Sequence, residues 1–192
     1  MVTKLLITQQ YFHVTHVGES LVIKPSWEEY EAKEGEHVIK IDPGMAFGTG
    51  THHTTNMCMA RLEKILTKDD VVFDVGTGSG ILAIAAALLG AKEVKAVDID
   101  AVAVRGAAEN IADNDLTDRS DVKEGDLLHG TEGKANVIIA NIIADIIIML
   151  LKDIPGKLED NGIFLASGII KERQADIEAA AKEVSYAYSF LH

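Results

Sequence analysis

The run Val71-Val72-Phe73-Asp74-Val75-Gly76-Thr77-Gly78-Ser79-Gly80 constrains the fold more than any other stretch, because it joins an apolar strand to a glycine turn with a carboxylate inside the joint. That order is the strand, turn and helix entry of a nucleotide-binding α/β sheet. Gly76, Gly78 and Gly80 are spaced as G-x-G-x-G, and Ile81 stands where the dinucleotide fingerprint G-x-G-x-x-G wants its last glycine. A pyrophosphate needs backbone amides at a helix N-terminus. An adenosyl group without phosphate needs room, which glycines supply by exposing bare backbone. The spacing therefore points to S-adenosylmethionine, with Asp74, Gly76 and Gly78 at the cofactor.

Glu93-Val94-Lys95-Ala96-Val97-Asp98 reads as the next strand. Asp98 ends it about 20 residues beyond the first glycines, where an acidic side chain accepts hydrogen bonds from ribose hydroxyls. Asp100 precedes the apolar-periodic run Ala101 to Ile111 and reads as a helix N-cap. Strand and helix patterns alternate along most of the chain. Strands are expected at 38–41, 71–75, 94–98, 120–124, 136–140, 163–167 and 185–190, and helices at 53–66, 79–89, 101–114, 143–154 and 171–183. Such alternation gives an α/β fold, a doubly wound Rossmann-like parallel sheet with helices on both faces. The first 36 residues differ: Leu5-Leu6-Ile7 and Leu21-Val22-Ile23 are short β-like runs, and Trp27 to Glu36 reads as a linker. The chain thus divides into a short β-rich leader, 1–36, and a cofactor-binding domain, 37–192.

Ligands of doubly wound sheets lie beyond the carboxyl ends of the strands, so residues there carry most weight. Gly125-Asp126 follows the strand at 120–124; Asp126 is either an acceptor for the adenine amino group or a solvated loop residue. Asn141 ends Val137-Ile138-Ile139-Ala140 as an amide in an apolar run, and an amide there needs a partner. It either caps the helix expected from Ile143 or turns its carbonyl to a substrate nitrogen. Ahead of the sheet, Asp42-Pro43-Gly44-Met45-Ala46-Phe47-Gly48-Thr49-Gly50-Thr51-His52-His53-Thr54-Thr55 reads as a loop entering a helix N-terminus, where free amides and the Thr55 hydroxyl can receive the cofactor's carboxylate. Phe47 joins the cofactor set from this loop. His52 and His53 lack an acidic or thiolate partner nearby, and no metal is expected.

Composition narrows the class further. A 192-residue chain that is 47% hydrophobic can bury one large core with a small appendage. Its net charge of -12 argues against a standing nucleic-acid surface and suits a basic partner. The single cysteine, Cys58, sits in Met57-Cys58-Met59-Ala60 and reads as core packing. The apolar run 137–151 is interrupted by Asn141 and Asp145 and is too short to span a bilayer. No secretory signal pattern opens the chain, so the expected location is the cytoplasm.

Together, Asp-Pro-Gly-Met-Ala-Phe-Gly-Thr-Gly-Thr-His at 42–52, Thr54-Thr55, the Asp74 glycine turn, Val97-Asp98-Ile99-Asp100 and Ala140-Asn141-Ile142 resemble the bacterial methyltransferases of large-subunit ribosomal protein eleven, the PrmA family. The likeness runs from about Trp27 to Lys182, and the Phe-Gly-Thr-Gly-Thr-His loop is its discriminating part. The resemblance implies a class I methyltransferase fold and transfer of methyl groups from S-adenosyl-L-methionine to lysine and N-terminal amines of that ribosomal protein. It places cofactor contacts on Thr55, Gly76, Asp98 and Asn141, with Asn141 also the catalytic candidate. The family carries an N-terminal recognition domain, of which residues 1–36 would be the linker and strands, and a last antiparallel strand beyond the position of His192.

Three rival readings share parts of this pattern. A nicotinamide dehydrogenase would want the missing glycine spacing. A nucleic-acid amino methyltransferase commonly follows the strand-end Asn or Asp with Pro-Pro-aromatic, whereas Ile142-Ile143 stand here; a small-molecule methyltransferase remains open. The third is a cofactor-binding fragment inactive on protein.

Overall fold

The computed structural model describes residues 12–42 and 52–184. The expected strands at 5–7 and 185–190, Phe47, and most of the threonine-rich loop lie outside the described residues. In chain order come β1 (Thr15–Val17), β2 (Leu21–Lys24), β3 (His37–Lys40), α1 (His53–Ile65), β4 (Val71–Val75), α2 (Ile81–Leu88), β5 (Glu93–Asp98), α3 (Ala101–Asp113) and β6 (Ser120–Glu124). They are followed by β7 (Ala135–Asn141), α4 (Ala144–Leu150), α5 (Ile154–Lys157), β8 (Leu158–Ser167), a 3-10 turn (Lys171–Arg173) and α6 (Gln174–Glu183).

The main sheet has the order β6-β5-β4-β7-β8, and every pairing in it is parallel. Buried on both faces, its central strands read as near-continuous apolar runs. Val72, Val94, Ala96, Val137 and Ile139 point to one layer, with Cys58, Met59 and Leu62 of α1 and Ile81 to Ala87 of α2. Phe73, Val75, Val97, Ile138 and Ala140 point to the other, against Leu150 and Ile154. Helix α2, Ile-Leu-Ala-Ile-Ala-Ala-Ala-Leu, is apolar all round and accordingly buried. Strand order reverses at β4, which has β5 on one side and β7 on the other.

Among the described residues the N-terminal strands form a separate three-stranded sheet, β1-β2-β3. The strand expected near 38–41 pairs in parallel with β2 and not with the main sheet, because residues 25–36 carry the chain back to the start of β2. The small sheet shares one core with the main one: Phe12, Val17, Leu21, Ile23, Ile39 and Ile41 pack in the same cluster as α1 and α2. Glu63 of α1 fastens it by accepting from Glu19 N, Ser20 N and Ser20 Oγ at 2.8 Å and from Leu21 N at 3.1 Å. Burial pushes the Glu63 carboxyl up, but these four bonds outweigh it and hold the group below its usual range.

Asn114, at the C-terminus of α3, extends β3 sideways. Its Oδ1 accepts from Lys40 N at 2.8 Å, and its Nδ2 donates to Lys40 O and to Asn110 O, both at 2.7 Å. One turn back, Asn110 Nδ2 donates to Ser79 O in the glycine turn at 2.8 Å.

Two further differences from expectation are local. The helix expected over 143–154 is split, with α4 ending at Leu150 and a second short helix placing Pro155 in its first turn, where a missing N–H costs nothing. Strand β8 begins at Leu158 rather than 163, because Ala135 pairs with Leu158 across an irregularity between Ala135 and Val137.

Candidate functional site

The glycine turn leaves β4 with Gly76, Gly78 and Gly80 all at positive φ, 70°, 58° and 83°. At Gly76 a Cβ would lie 2.5 Å from Ile142 Cγ2, so a side chain there would force apart the ends of β4 and β7. Gly76 N and Thr77 N both donate to Val97 O, at 2.9 and 3.0 Å, which ties the turn to β5. Beneath it Asp74, fully buried, accepts through Oδ2 from Thr77 Oγ1 at 2.6 Å and from Ala83 N at 3.1 Å. Burial drives its pKa up to about 6; the Thr77 and Ala83 bonds oppose the rise, and the charge of Asp98 adds to it.

Asp98 closes the turn from the side. Its Oδ2 accepts from Gly78 N at 2.8 Å and its Oδ1 from Asp100 N at 3.0 Å. Each carboxylate oxygen keeps a further lone pair for a hydroxyl donor. Asp100 is the N-cap of α3, accepting from Val102 N at 2.8 Å, as its place in the sequence suggests. The loop after β6 starts beside Asp98, with Gly125 N on Asp98 O at 2.9 Å. Asp126 itself points to solvent, 3.9 Å from His129 Nδ1.

Asn141 and Thr55 meet across 86 residues of sequence: Asn141 Nδ2 donates to Thr55 Oγ1 at 3.1 Å. Thr55 is buried in the first turn of α1, whose N-cap is His52. The hydrogen bond takes the donor end of the Asn141 amide and leaves Oδ1 as the end that can accept from a ligand. It also leaves the Thr55 O–H free to donate. Asn141 does not cap α4, whose N-cap is Ile143; the strand runs one residue further than expected and carries the side chain to the α1 face. Asn141 pairs in register with Ser167 at the end of β8.

The structure thus brings Thr55, Asp74, Gly76, Gly78, Asp98 and Asn141 to one edge of the sheet at its switch point, and sets Asp126 on the neighbouring loop. Their donors and acceptors suit a phosphate-free nucleoside with an amino-acid tail: a carboxylate for diol hydroxyls, bare backbone for a flat group, and a hydroxyl on a helix N-terminus for a carboxylate. Sequence reasoning missed Gly168. It has φ +83°, and a Cβ on it would stand 2.6 Å from Ile142 O, so it is what lets β8 turn away beside Asn141. A glycine directly after the strand-ending Ser167 was the available signal. Cys58 is core, as expected; burial raises its thiol pKa to about 11 against a bond from Ser167.

Among known proteins, the ribosomal protein L11 methyltransferase (PrmA) family matches residues 6–190. The chain is 53% identical over 171 residues to a ribosomal protein L11 methyltransferase of Alkaliphilus metalliredigens (strain QYMF), covering 89% of this chain and 54% of that one. It is also 53% identical over 165 residues to the protein of the same name from Alkaliphilus oremlandii (strain OhILAs), covering 86% and 53%. The crystal structure of a ribosomal protein L11 methylase from Lactobacillus delbrueckii subsp. bulgaricus superposes with a TM-score of 0.85 at 40% identity, over 91% of this chain and 89% of that one. The chain spans about half the length of the curated relatives it matches. Its fold is that of a class I methyltransferase, and the chain belongs to the ribosomal protein L11 methyltransferase (PrmA) family.

Proposed function

We propose that this chain binds S-adenosyl-L-methionine and transfers its methyl group to lysine and N-terminal amines of large-subunit ribosomal protein eleven, in the cytoplasm. The observation that carries the reading is the pairing, at one strand-end edge, of the Asp98 carboxylate against the glycine turn with the Asn141 amide against Thr55. The names borne by the relatives support the substrate. In this reading residues 37–192 form the methyltransferase domain and 1–36 its leader. The net charge of -12 favours encounter with a basic protein and disfavours stable nucleic-acid binding. Among the described residues no helix is long and apolar enough to cross a membrane.

When bound, the cofactor supplies an activated methyl group on a cationic sulfur. Asp98 takes the ribose hydroxyls on its spare lone pairs, Gly76 and Gly78 give the adenosyl group bare backbone, and Asp126 accepts from the adenine amino group; Phe47, outside the described residues, belongs to the same cofactor set. The Thr55 hydroxyl, on the first turn of α1, holds the amino-acid carboxylate. Asp74 keeps the turn in shape from below. Asn141 Oδ1 accepts from the incoming amine and aims its lone pair. An ordinary lysine amine, with a pKa near 10.4, is protonated at neutral pH, so the site must favour its neutral form by excluding water. The proton leaves to solvent before transfer, and the remaining work is placement within about 3 to 3.5 Å.

Mass spectrometry of the ribosomal protein after incubation with the chain and labelled cofactor tests this. Methyl increments on lysine side chains or the N-terminal amine are expected. Tighter binding of a nicotinamide dinucleotide than of S-adenosylmethionine in calorimetry would overturn it.

A further inference from the structure

Ile143 and Ile170 break two local rules at the same place. Each is an N-cap residue, Ile143 of α4 and Ile170 of the 3-10 turn, with extended backbone and no side-chain bond to the turn that follows. Isoleucine ranks among the poorest residues at that position. Each also stands in solvent, 65% and 62% exposed. At the same edge Asp100 accepts from Val102 N and His52 from Thr54 N, while α2 enters through Gly80 at positive φ without a side-chain cap.

The sheet sets the two isoleucines just past the ends of adjacent strands. Strands β7 and β8 pair as far as Asn141 and Ser167, and each then continues into an isoleucine pair, Ile142-Ile143 and, after Gly168, Ile169-Ile170. Ile142 and Ile169 pack inward with α4 and α6. Arg173 locks the two caps to each other: it donates through Nη2 to Asp145 in the first turn of α4 and through Nε to Asp176 in α6, both at 2.6 Å. Local rules broken together without a compensating contact mark a functional surface.

The geometry points to an apolar lip, formed by Ile143 and Ile170, that takes the four-carbon stem of a lysine side chain and delivers its amine to Asn141. This rests on the amine-methylation reading above. A lysine stem is apolar while its tip is charged, and stripping water from the tip favours the neutral amine. Asp98, Asp100 and the acidic field of the whole chain draw a basic segment to this edge. Two branched aliphatic side chains offer a nucleobase no stacking platform.

The test uses Ile143→Ser and Ile170→Ser, singly and together. Serine is the better cap, so a purely structural role predicts an equal or higher melting temperature and unchanged transfer. Two N-acetylated peptides of one basic sequence serve as substrates, one carrying lysine and one 2,3-diaminopropionate, which presents an amine on a one-carbon stem. The double variant should raise KM for the lysine peptide about tenfold, what burying roughly two methylene groups is worth. KM for the short-stem peptide, cofactor affinity and melting temperature should hold. Isotope-labelled isoleucine methyl resonances, followed during titration of the lysine peptide into the complex with S-adenosylhomocysteine, read the lip without turnover; Ile143 and Ile170 should shift. Equal KM for both peptides in the wild type, no shift at these two methyls, or a larger shift with a single-stranded oligonucleotide would overturn the inference. Shifts at both methyls in a chain that methylates no amine would leave the lip standing and defeat the methyl-transfer reading instead.

Discussion

Asn141 spends its donor on Thr55 and keeps its acceptor, so its removal should separate binding from turnover. Asn141→Ala is expected to lower the rate of methyl transfer more than it lowers cofactor affinity, the mark of an interaction realised in the transition state. Single-turnover rates beside calorimetry decide it, and equal losses would make Asn141 a cofactor contact only. Asp98→Ala should weaken cofactor binding roughly ten- to a hundredfold, since a bond to a charged acceptor is worth about 1.5 to 3 kcal/mol. It also frees Gly78 N, so a lowered melting temperature accompanies the loss; unchanged affinity in the folded variant would remove the ribose assignment. Asp74 titrates in the opposite sense to Glu63. Folded, it holds its proton to about pH 6, against 3.8 as its ordinary value, so its contribution to stability is full below 3.8 and is lost as pH rises through 6. Asp74→Asn stays neutral, and relative to wild type it should gain up to about 3 kcal/mol across that window. Urea midpoints at several pH values measure this, and parallel curves for the two proteins would refute the raised pKa. The carboxylates and glycines were legible because they sit in the sequence beside their strands. The Asn141 and Thr55 contact was not, because 86 residues separate them and nothing local records the packing of α1 across β7 and β8.

At the scale of elements, the turn after β8 is the least forgiving. Gly168→Ala must place a Cβ 2.6 Å from the Ile142 carbonyl oxygen at φ +83°, a strain of about 1 to 3 kcal/mol before any movement. Relief has to come from Ile142 and therefore from Asn141. The variant is expected to melt lower and to lose transfer beyond what its residual folded fraction explains; an unchanged rate in the folded fraction would show that Asn141 does not feel this turn. Strands β4 and β6 stand where apolar and alternating patterns put them, and α1 and α3 end within a residue of expectation. Misjudged elements share a cause. A largely apolar stretch from 143 to 151 runs on in the sequence towards Ile154 and hides the break ahead of Pro155, and β1, three residues long, is too short to carry a period.

Over the whole molecule, the small sheet is part of the body that holds the site, since its apolar residues lie in the core of α1 and α2. Nothing local in the sequence records this packing, because the Glu63 bonds to Ser20 span 43 residues and the Asn114 bonds to Lys40 span 74. Helix α1 faces both ways, with Glu63 on the small sheet and Thr55 on the site.

The Asn114 side chain has one consequence for how the protein can be observed. By meeting Lys40 with both an acceptor and a donor it serves as a rung of a sheet that, among the described residues, has no further strand there, and through Asn110 that rung leans on the glycine turn. The Lys40 amide is then a built-in gauge of the turn. On addition of S-adenosylmethionine its hydrogen exchange should slow severalfold, although it lies on another sheet, and Asn110→Ala should abolish the response while Lys40 stays protected in the free protein. Equal slowing in wild type and variant would mean that the turn and the small sheet open independently.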